Sequence, residues 1–174
     1  MTRPTPTATP EAPFQALDAA HQQIMAHLAD LAKLIDHLER NGDDAQARAE
    51  AGRIETFFSG TSRQHHLDEE STVFPGLLAS GNAELVAAVN SLQQDHGWIE
   101  EDWLMLAPQL RAVASGQGGN EPEELRHTAQ VFLELCHEHI ALEESLVYPQ
   151  ARALAMKFNR QRTERLRAAA PSSS

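Results

Sequence analysis

Four stretches of the chain repeat apolar residues at alternating spacings of three and four, and short breaks rich in Gly, Asn, Asp and Ser separate them. The breaks are residues 41–44, 80–82 and 116–120. Such spacing puts one apolar stripe along a helix, and no stretch shows the period of two that is typical of a half-buried strand. The pattern predicts an all-α protein. Because the breaks are short, we expect an antiparallel up-down-up-down four-helix bundle.

Each predicted helix carries one histidine on its apolar stripe. The stripes, in chain order, consist of Phe14, Leu17, His21, Ile24, Leu28, Leu31, Ile35 and Leu38; a weaker second set of Ile54, Phe57, Phe58, Thr61, His65 and Glu69; Leu85, Val89, Leu92, His96, Ile99, Trp103, Leu106, Leu110 and Val113; and Leu125, Thr128, Phe132, Leu135, His139, Leu142 and Leu146. One histidine per helix is therefore predicted to face the interior.

The four stripe histidines are also predicted to lie at one level of the bundle. Residues on adjacent antiparallel helices face each other when they are equally far from the turn between them, since all helices rise by about 1.5 Å per residue. The midpoints of the pairs His21 and His65, His65 and His96, and His96 and His139 fall at 43, 80.5 and 117.5, each inside a break. This spacing predicts a single layer of four imidazoles.

A local repeat adds two carboxylates to that layer. Residues 65–75 match residues 139–149, and both copies read His-x-x-x-Glu followed by an aromatic residue and proline. Residues i and i+4 share a helix face, so Glu69 and Glu143 are expected to point where His65 and His139 point. Buried carboxylates require compensating positive charge, which neutral imidazoles do not supply. A pair of metal ions does, and imidazole with carboxylate suits iron, manganese or zinc.

Composition narrows the choice of partners and cellular location. The 174 residues contain 14 Lys+Arg and 25 Asp+Glu, a net charge of −11, which disfavours nucleic acid and anionic membranes as partners. The single cysteine, Cys136, excludes a disulfide framework and a Cys-rich zinc site. Residues 1–13 are rich in Thr and Pro and contain no secretion signal, so we expect a cytoplasmic protein. We expect a flexible leader over 1–12, the bundle over 13–159, and a helix end with a disordered tail over 160–174.

These residues resemble the hemerythrin-like (HHE) cation-binding domain, a four-helix bundle around a non-haem di-iron centre. The resemblance covers about residues 14–158 and depends on the four histidines and the duplicated His-x-x-x-Glu motif. It implies two iron ions joined by an oxo or hydroxo group, with zinc or manganese as alternatives. By the same resemblance Glu69 and Glu143 would bridge the metals, and the four histidines would be divided between them.

One position departs from the oxygen-carrying members of that family. They place a fifth histidine four residues after the histidine of the third helix, where this chain has Glu100. Glu100 is a candidate ligand, with two alternatives: an acceptor for a ligand N–H, or an exposed residue. Without a fifth histidine both irons would keep an open position unless Glu100 fills one, which favours reacting with or sensing a small ligand over dedicated oxygen transport.

The resulting prediction is a di-iron protein that binds, senses or reacts with O₂, NO or peroxide. The alternative is a non-catalytic regulatory module that holds iron or zinc and acts through an unidentified protein partner. Whether the protein is an enzyme stays open. Apolar residues near the histidines are expected to form a pocket for a diatomic ligand: Ile24, Met25, Phe58, Ile99, Trp103, Phe132 and Cys136. The remaining histidines are off the axis and expected to be solvated: His27, His37, His66, His127 and His137.

Overall fold

The computed structural model describes residues 12–117 and 122–169 of the chain. All regular structure in these two ranges is helical: α1 (Ala12–Asn41), α2 (Ala45–Phe57), a π-helical segment π1 (Phe58–Ser62), α3 (Arg63–Thr72), α4 (Phe74–Leu78), α5 (Ala83–Ala114), α6 (Pro122–Leu142), a second π-helical segment π2 (Glu143–Val147) and α7 (Tyr148–Ala169). The predicted leader, apart from Ala12, and residues 170–174 of the predicted tail lie outside the described residues.

Four helical columns form a bundle, which confirms the all-α prediction. The first column is α1, the second runs from α2 through π1 and α3 to α4, the third is α5, and the fourth runs from α6 through π2 to α7. Helix α1 contacts α2 and α6, and α5 also contacts α2 and α6, so the columns close into a ring around one interior. None of the described helices combines the length and apolarity needed to cross a membrane.

The predicted breaks end and begin helices through local backbone chemistry. Gly42 and Gly81 have φ of 74°, a left-handed conformation that glycine adopts without a steric penalty. The Asp44 carboxylate then accepts a hydrogen bond from the Ala47 N–H at 2.8 Å and begins α2. The Asn82 side chain likewise accepts from the N–H groups of Glu84 and Leu85 at the start of α5. The first two breaks therefore each stop one helix and cap the next.

Two apolar clusters fill the interior on either side of the stripe histidines. The large cluster contains buried residues from α1, α2, π1, α5 and α6, among them Leu31, Leu110 and Phe132. The small cluster contains buried residues from α1, α4, α5, π2 and α7, among them Phe74 and Tyr148. In the first three columns the stripe histidine lies in the sequence between residues of the two clusters, and in the fourth column His139 directly precedes Ile140, the last residue of the large cluster. The polar layer is thus enclosed by apolar packing.

Two columns depart from the predicted stripes. In π1 the wider turn places Ser62 rather than Thr61 inside, so Thr61 is exposed. In α6 the buried set shifts toward Ala129, Cys136 and Ile140, while Thr128 and Leu135 are only half-buried. Apolar residues cover a broad face of α6, so the sequence is compatible with more than one set of buried positions.

Shortening a side chain in the large cluster should destabilise the fold. Leu31 is fully buried, and Leu31→Ala leaves a cavity that the surrounding side chains fill only in part. We therefore expect a loss of about 2–5 kcal/mol in the free energy of unfolding. Urea denaturation of the metal-free protein measures it. Leu166→Ala, at a side chain that is 64% exposed, is the control and should change that free energy by less than about 0.5 kcal/mol. Equal effects of the two substitutions would contradict this account of the core.

Candidate metal centre

Six of the seven predicted site residues come together in one buried layer. The four histidines are contributed by α1, α3, α5 and α6, and the two carboxylates lie one helical turn after the second and fourth histidines. All six are buried: His21, His65, Glu69, His96, His139 and Glu143. The histidines form two pairs with ring centroids 4.8 Å apart for His21 and His65 and 4.9 Å apart for His96 and His139.

Each carboxylate faces both histidine pairs, one with each oxygen. Glu69 directs Oε1 toward His65 Nε2 at 3.5 Å and Oε2 toward His96 Nε2 at 3.4 Å. Glu143 directs Oε2 toward His21 Nε2 at 3.1 Å and Oε1 toward His139 Nε2 at 3.0 Å. The six groups therefore divide into two sets of four that share both carboxylates, with the ligand atoms of each set within 4.8 Å of one another. Shared carboxylates are the arrangement that a dinuclear site requires.

Many of these polar atoms lack hydrogen bonds although they are buried. Within the described part of the chain no hydrogen-bond partner is found for Nε2 of His65, His96 and His139 or for either carboxylate oxygen of Glu143. Buried polar groups are normally satisfied, because each unpaired group carries a desolvation penalty of roughly 1–3 kcal/mol. Nitrogen and oxygen donors that converge without hydrogen-bond partners fit a pair of borderline or hard metal ions, such as iron, manganese or zinc. Because no thiolate is among these donors, they do not resemble a Cys-rich structural zinc site.

Burial and charge shift the pKa values of the six groups in the metal-free protein. Burial raises the pKa of Glu69 to about 6, whereas the close approach of the His139 and His21 imidazoles outweighs burial and lowers the pKa of Glu143. Burial lowers the pKa of His65 to about 4, with the neighbouring His21 adding to the effect. At His21 and His96 burial acts in the same downward direction, but contacts with carboxylates outweigh it and the pKa rises. Without metal, protons therefore compensate part of the buried negative charge.

An outer set of carboxylates orients the histidines. The Nδ1–H of His21 donates to Glu144 at 3.1 Å, and the Nδ1–H of His96 donates to Glu70 at 2.7 Å. These bonds assign the proton to Nδ1 and leave Nε2 free to face the centre, as in carboxylate–histidine–metal arrangements generally. Asp95 approaches Nδ1 of His139 at 3.6 Å, which is beyond hydrogen-bonding distance. Glu70 and Glu144 occupy equivalent positions in the two repeats, so this support is duplicated with the ligands.

Tyr148 lies beside the six ligand residues, although the sequence indicated it only as the aromatic residue of the second repeat. Its hydroxyl donates to Glu69, and its ring stacks on His21 with centroids 4.9 Å apart. Segment π2 makes this possible, because hydrogen bonds from i to i+5 bring Glu143 and Tyr148, five residues apart, onto the same inward face. The equivalent residue of the other repeat is Phe74, which packs against His96 but has no hydroxyl. An aromatic residue at both repeat positions was the available signal.

Glu100 does not join the other six predicted residues. Its side chain is 43% exposed, and its carboxylate lies 3.6 Å from Nε of Arg63. It belongs to none of the groups whose atoms converge within the described part of the chain. Being one turn after His96 on α5 therefore does not bring this side chain to the centre; it lies instead at the surface beside α3.

The expectation that His66 is solvated was wrong. Its ring stacks on His96 with centroids 4.0 Å apart and an interplanar angle of 11°, where α3 touches α5. His127 and His137 are exposed as expected. His27 and His37 are off the axis but half-buried; His27 stacks on Phe57, and His37 contacts Asp44 at 3.0 Å.

The predicted apolar pocket exists in part. A cavity of about 190 Å³ is lined by Phe58, Ile99, Trp103 and Phe132 together with His66. Three of the predicted lining residues lie elsewhere: Met25 is 39% exposed, and Ile24 and Cys136 pack within the large cluster. Burial raises the pKa of the Cys136 thiol, so it stays protonated and unreactive.

Removing an outer carboxylate should weaken metal binding while leaving the six inner groups in place. We expect Glu70→Ala and Glu144→Ala each to lower metal affinity by about 10–100-fold, because His96 or His21 loses the acceptor that fixes its Nδ1 proton. Chelator competition measures the affinity. Glu164→Ala makes the same change in net charge at an exposed position of α7 and should leave the affinity unchanged. An equal loss in all three variants would show a general charge effect instead.

Metal affinity should rise with pH through the range in which the inner groups lose protons. The pKa of Glu69 is about 6, and those of His21 and His96 lie above 6.5, so below pH 6 protons occupy groups that a metal ion needs. We therefore expect affinity to increase from pH 5.5 to above pH 7, with proton release on binding. Calorimetric titration in two buffers of different ionisation enthalpy detects that release. A pH-independent affinity with no buffer effect would contradict it.

Comparison with known proteins agrees with this geometry. The family model for the hemerythrin HHE cation-binding domain matches residues 12–151. A protein of Haemophilus influenzae described as uncharacterized is 29% identical over 143 residues, which cover 82% of this chain and 81% of the relative. No solved structure matches the chain significantly. With a buried His and Glu cluster able to bind metal and a family match over most of its length, this chain belongs to the hemerythrin HHE cation-binding domain family.

Proposed function

We propose that this protein holds two iron ions in the buried layer and binds, senses or reacts with a small ligand of the O₂, NO or peroxide class. The observation that carries the proposal is the position of the two carboxylates. Each carboxylate places one oxygen toward the His21/His65 pair and the other oxygen toward the His96/His139 pair. A mononuclear site has no use for two carboxylates that each face two sets of imidazoles. Iron ions held in this way supply reversible one-electron chemistry and coordination positions for a small ligand.

The proposal includes an alternating up-and-down direction of the four columns. Support comes from the order of the two apolar clusters along the chain. The first and third columns pass from the small cluster to the large one, and the second and fourth pass from the large cluster to the small one. In this arrangement all four stripe histidines cross the interior at one level, and each of the two repeats forms one antiparallel hairpin.

The surrounding residues favour a small, weakly polar ligand. One wall of the cavity beside His66 is aromatic and aliphatic, formed by Phe58, Ile99, Trp103 and Phe132, and this wall favours a weakly polar ligand. The two apolar clusters keep bulk water from the layer, which strengthens every electrostatic interaction in it. Tyr148 keeps its proton, because burial raises the pKa of the phenol, and it holds that proton toward Glu69. The chain thereby fixes one carboxylate orientation in a dry site.

Metal analysis and rapid mixing test this function together. Protein purified without chelators should contain two iron ions per chain. The near-ultraviolet absorption of the reduced protein should change when it is rapidly mixed with O₂, with NO or with peroxide. Glu143→Ala should lose at least one iron, because it removes oxygens that face both histidine pairs. His127→Ala, at an exposed histidine of α6, should retain both ions and the full spectral response.

Other outcomes would replace the proposal. A protein that holds only zinc and shows no spectral response to any of the three ligands would support the non-catalytic regulatory module instead. A protein in which Glu143→Ala and His127→Ala bind the same amount of metal would overturn the dinuclear site itself.

A further inference from the structure

Helix α7 continues past the ends of the other described columns. Helix α4 ends thirteen residues after the stripe histidine of its column, α5 begins thirteen residues before its own, and α1 begins nine residues before His21. Thirteen residues after His139 is Arg152, so about the last four turns of α7 have no neighbouring column among the described residues. Every residue from Met156 to Ala169 is exposed. We call residues 156–169 the α7 extension.

The α7 extension has the opposite charge to the rest of the chain. It contains five basic side chains and one acidic one, a net charge of +4, so the remaining residues carry −15. None of these basic groups forms an ion pair within the described part of the chain, whereas each of the seven arginines between residues 40 and 152 lies within 3.6 Å of a carboxylate oxygen. The unpaired basic residues are Lys157, Arg160, Arg162, Arg165 and Arg167.

One face of the α7 extension continues the face by which α7 packs onto the bundle. Ala151 is buried in the small cluster, and Leu154 and Ala155 pack against it. Further steps of three and four along the helix lead to Phe158, Arg162 and Arg165. These three residues are exposed, because the bundle has ended at their level. A helix of this length is only marginally stable in water without a packing partner.

A complementary surface lies along the seam between α5 and α6. Two contacts mark this seam: Gln109 Nε2 donates to Thr128 Oγ1 at 3.1 Å, and Asp95 approaches His139 at 3.6 Å. Between these contacts, steps of three and four along each helix place apolar and acidic side chains at the seam or one position from it. Six of them are exposed and form what we call the acidic face: Trp98, Glu101, Met105, Val131, Glu134 and Glu138.

The acidic face matches the α7 extension in charge, apolar content and length. Its carboxylates meet no cationic group among the described residues, and Glu134 accepts a hydrogen bond only from the Gln130 amide at 3.2 Å. Its three apolar side chains are exposed next to these carboxylates. The stripe from Trp98 to Met105 and the stripe from Phe158 to Arg165 both cover seven residue steps, about 10 Å of helix.

We propose that the α7 extension of one copy of this chain lies on the acidic face of a second copy. Helix α7 is continuous to Ala169 and runs away from the bundle, so the extension does not reach the acidic face of its own chain. A two-fold axis uses each surface twice. Phe158 then packs on the apolar residues of the face, while Arg162 and Arg165 pair with its carboxylates. The charge of −15 on the rest of the chain favours this partner over an anionic membrane.

Sedimentation velocity of the full chain tests the contact. At low ionic strength the wild type should sediment as a dimer, at twice the 19.2 kDa mass of the chain, and added salt should weaken the dimer by screening its exposed ion pairs. Arg162→Glu with Arg165→Glu should raise the dissociation constant at least about tenfold, since like charges then face each other. The matched control, Arg160→Glu with Arg167→Glu, makes the same change in net charge on the opposite side of the helix and should leave the dimer intact.

Mixing two variants tests whether the two surfaces meet each other. Glu101→Arg with Glu134→Arg makes the acidic face basic, so this variant should dissociate like the one with the reversed extension. An equimolar mixture of the two variants should form a heterodimer. One of its contacts is native and the other has the charges of both surfaces reversed, so opposite charges meet in each.

Three results would overturn the proposal. One is a wild type that stays monomeric at low ionic strength, and another is a dimer that both charge reversals leave unchanged. The third is a monomer that co-sediments with phosphatidylserine vesicles and loses this binding in Arg162→Glu with Arg165→Glu, which would assign the α7 extension to an anionic membrane. Circular dichroism checks that each variant keeps the helical content of the wild type. None of these results depends on bound metal, so the proposed function is tested separately.

Discussion

The structure depends on the burial of two carboxylates, Glu69 and Glu143, at the centre of a bundle that is otherwise apolar inside. An isolated ionised carboxylate is strongly disfavoured in such an interior, so the surrounding groups must supply positive charge. In the metal-free protein the pKa of Glu69 rises to about 6, while that of Glu143 is lowered by its imidazole neighbours. Glu69 and Glu143 thus occupy equivalent positions in the two repeats, but their pKa values are shifted in opposite directions. Two metal ions would provide one solution for both.

Metal binding and folding are consequently coupled in this protein. The apolar clusters on either side of the layer stabilise the bundle without help from the layer, which contributes unpaired polar atoms in the metal-free state. Any ion that binds only the folded chain shifts the equilibrium toward that state in proportion to its affinity and concentration. The clusters therefore keep the ligand layer assembled without metal, and metal occupancy would add stability where buried polar atoms lack hydrogen-bond partners.

Much of this arrangement was predictable because it depends on periodicity and spacing. The four helical columns follow from apolar stripes, and the convergence of His21, His65, Glu69, His96, His139 and Glu143 follows from distances to the turns and from the i, i+4 relation. The failures have local causes. A regular helix assigns Thr61 to the interior, but π1 adds a residue to the turn. His66 lies about 100° around the helix from His65, and nothing in the sequence reveals that α5 approaches closely enough to contact it.

Glu100 illustrates the same limit from the other direction. Its position one turn after His96 is the one that a family resemblance marks, yet helical spacing fixes only the face of a residue and not the direction of a long side chain. Near Glu100 the guanidinium of Arg63 on α3 lies at 3.6 Å and offers a partner toward solvent. Meanwhile His66, from the same helix as Arg63, has turned inward. The contact between α3 and α5, which neither helix reveals alone, decides that Arg63 pairs with Glu100 and that His66 stacks on His96.

The two repeats keep the ligands symmetric and make their surroundings different. His65, Glu69 and Glu70 correspond to His139, Glu143 and Glu144, but His66 corresponds to Ile140 and Phe74 to Tyr148. The differences fall on opposite sides of the layer: His66 stacks against His96, and Tyr148 stacks against His21. One side therefore has an extra imidazole and the other an extra phenol that donates to Glu69. The two repeats therefore place equivalent ligand residues in surroundings that differ in their contacts and in access to a proton.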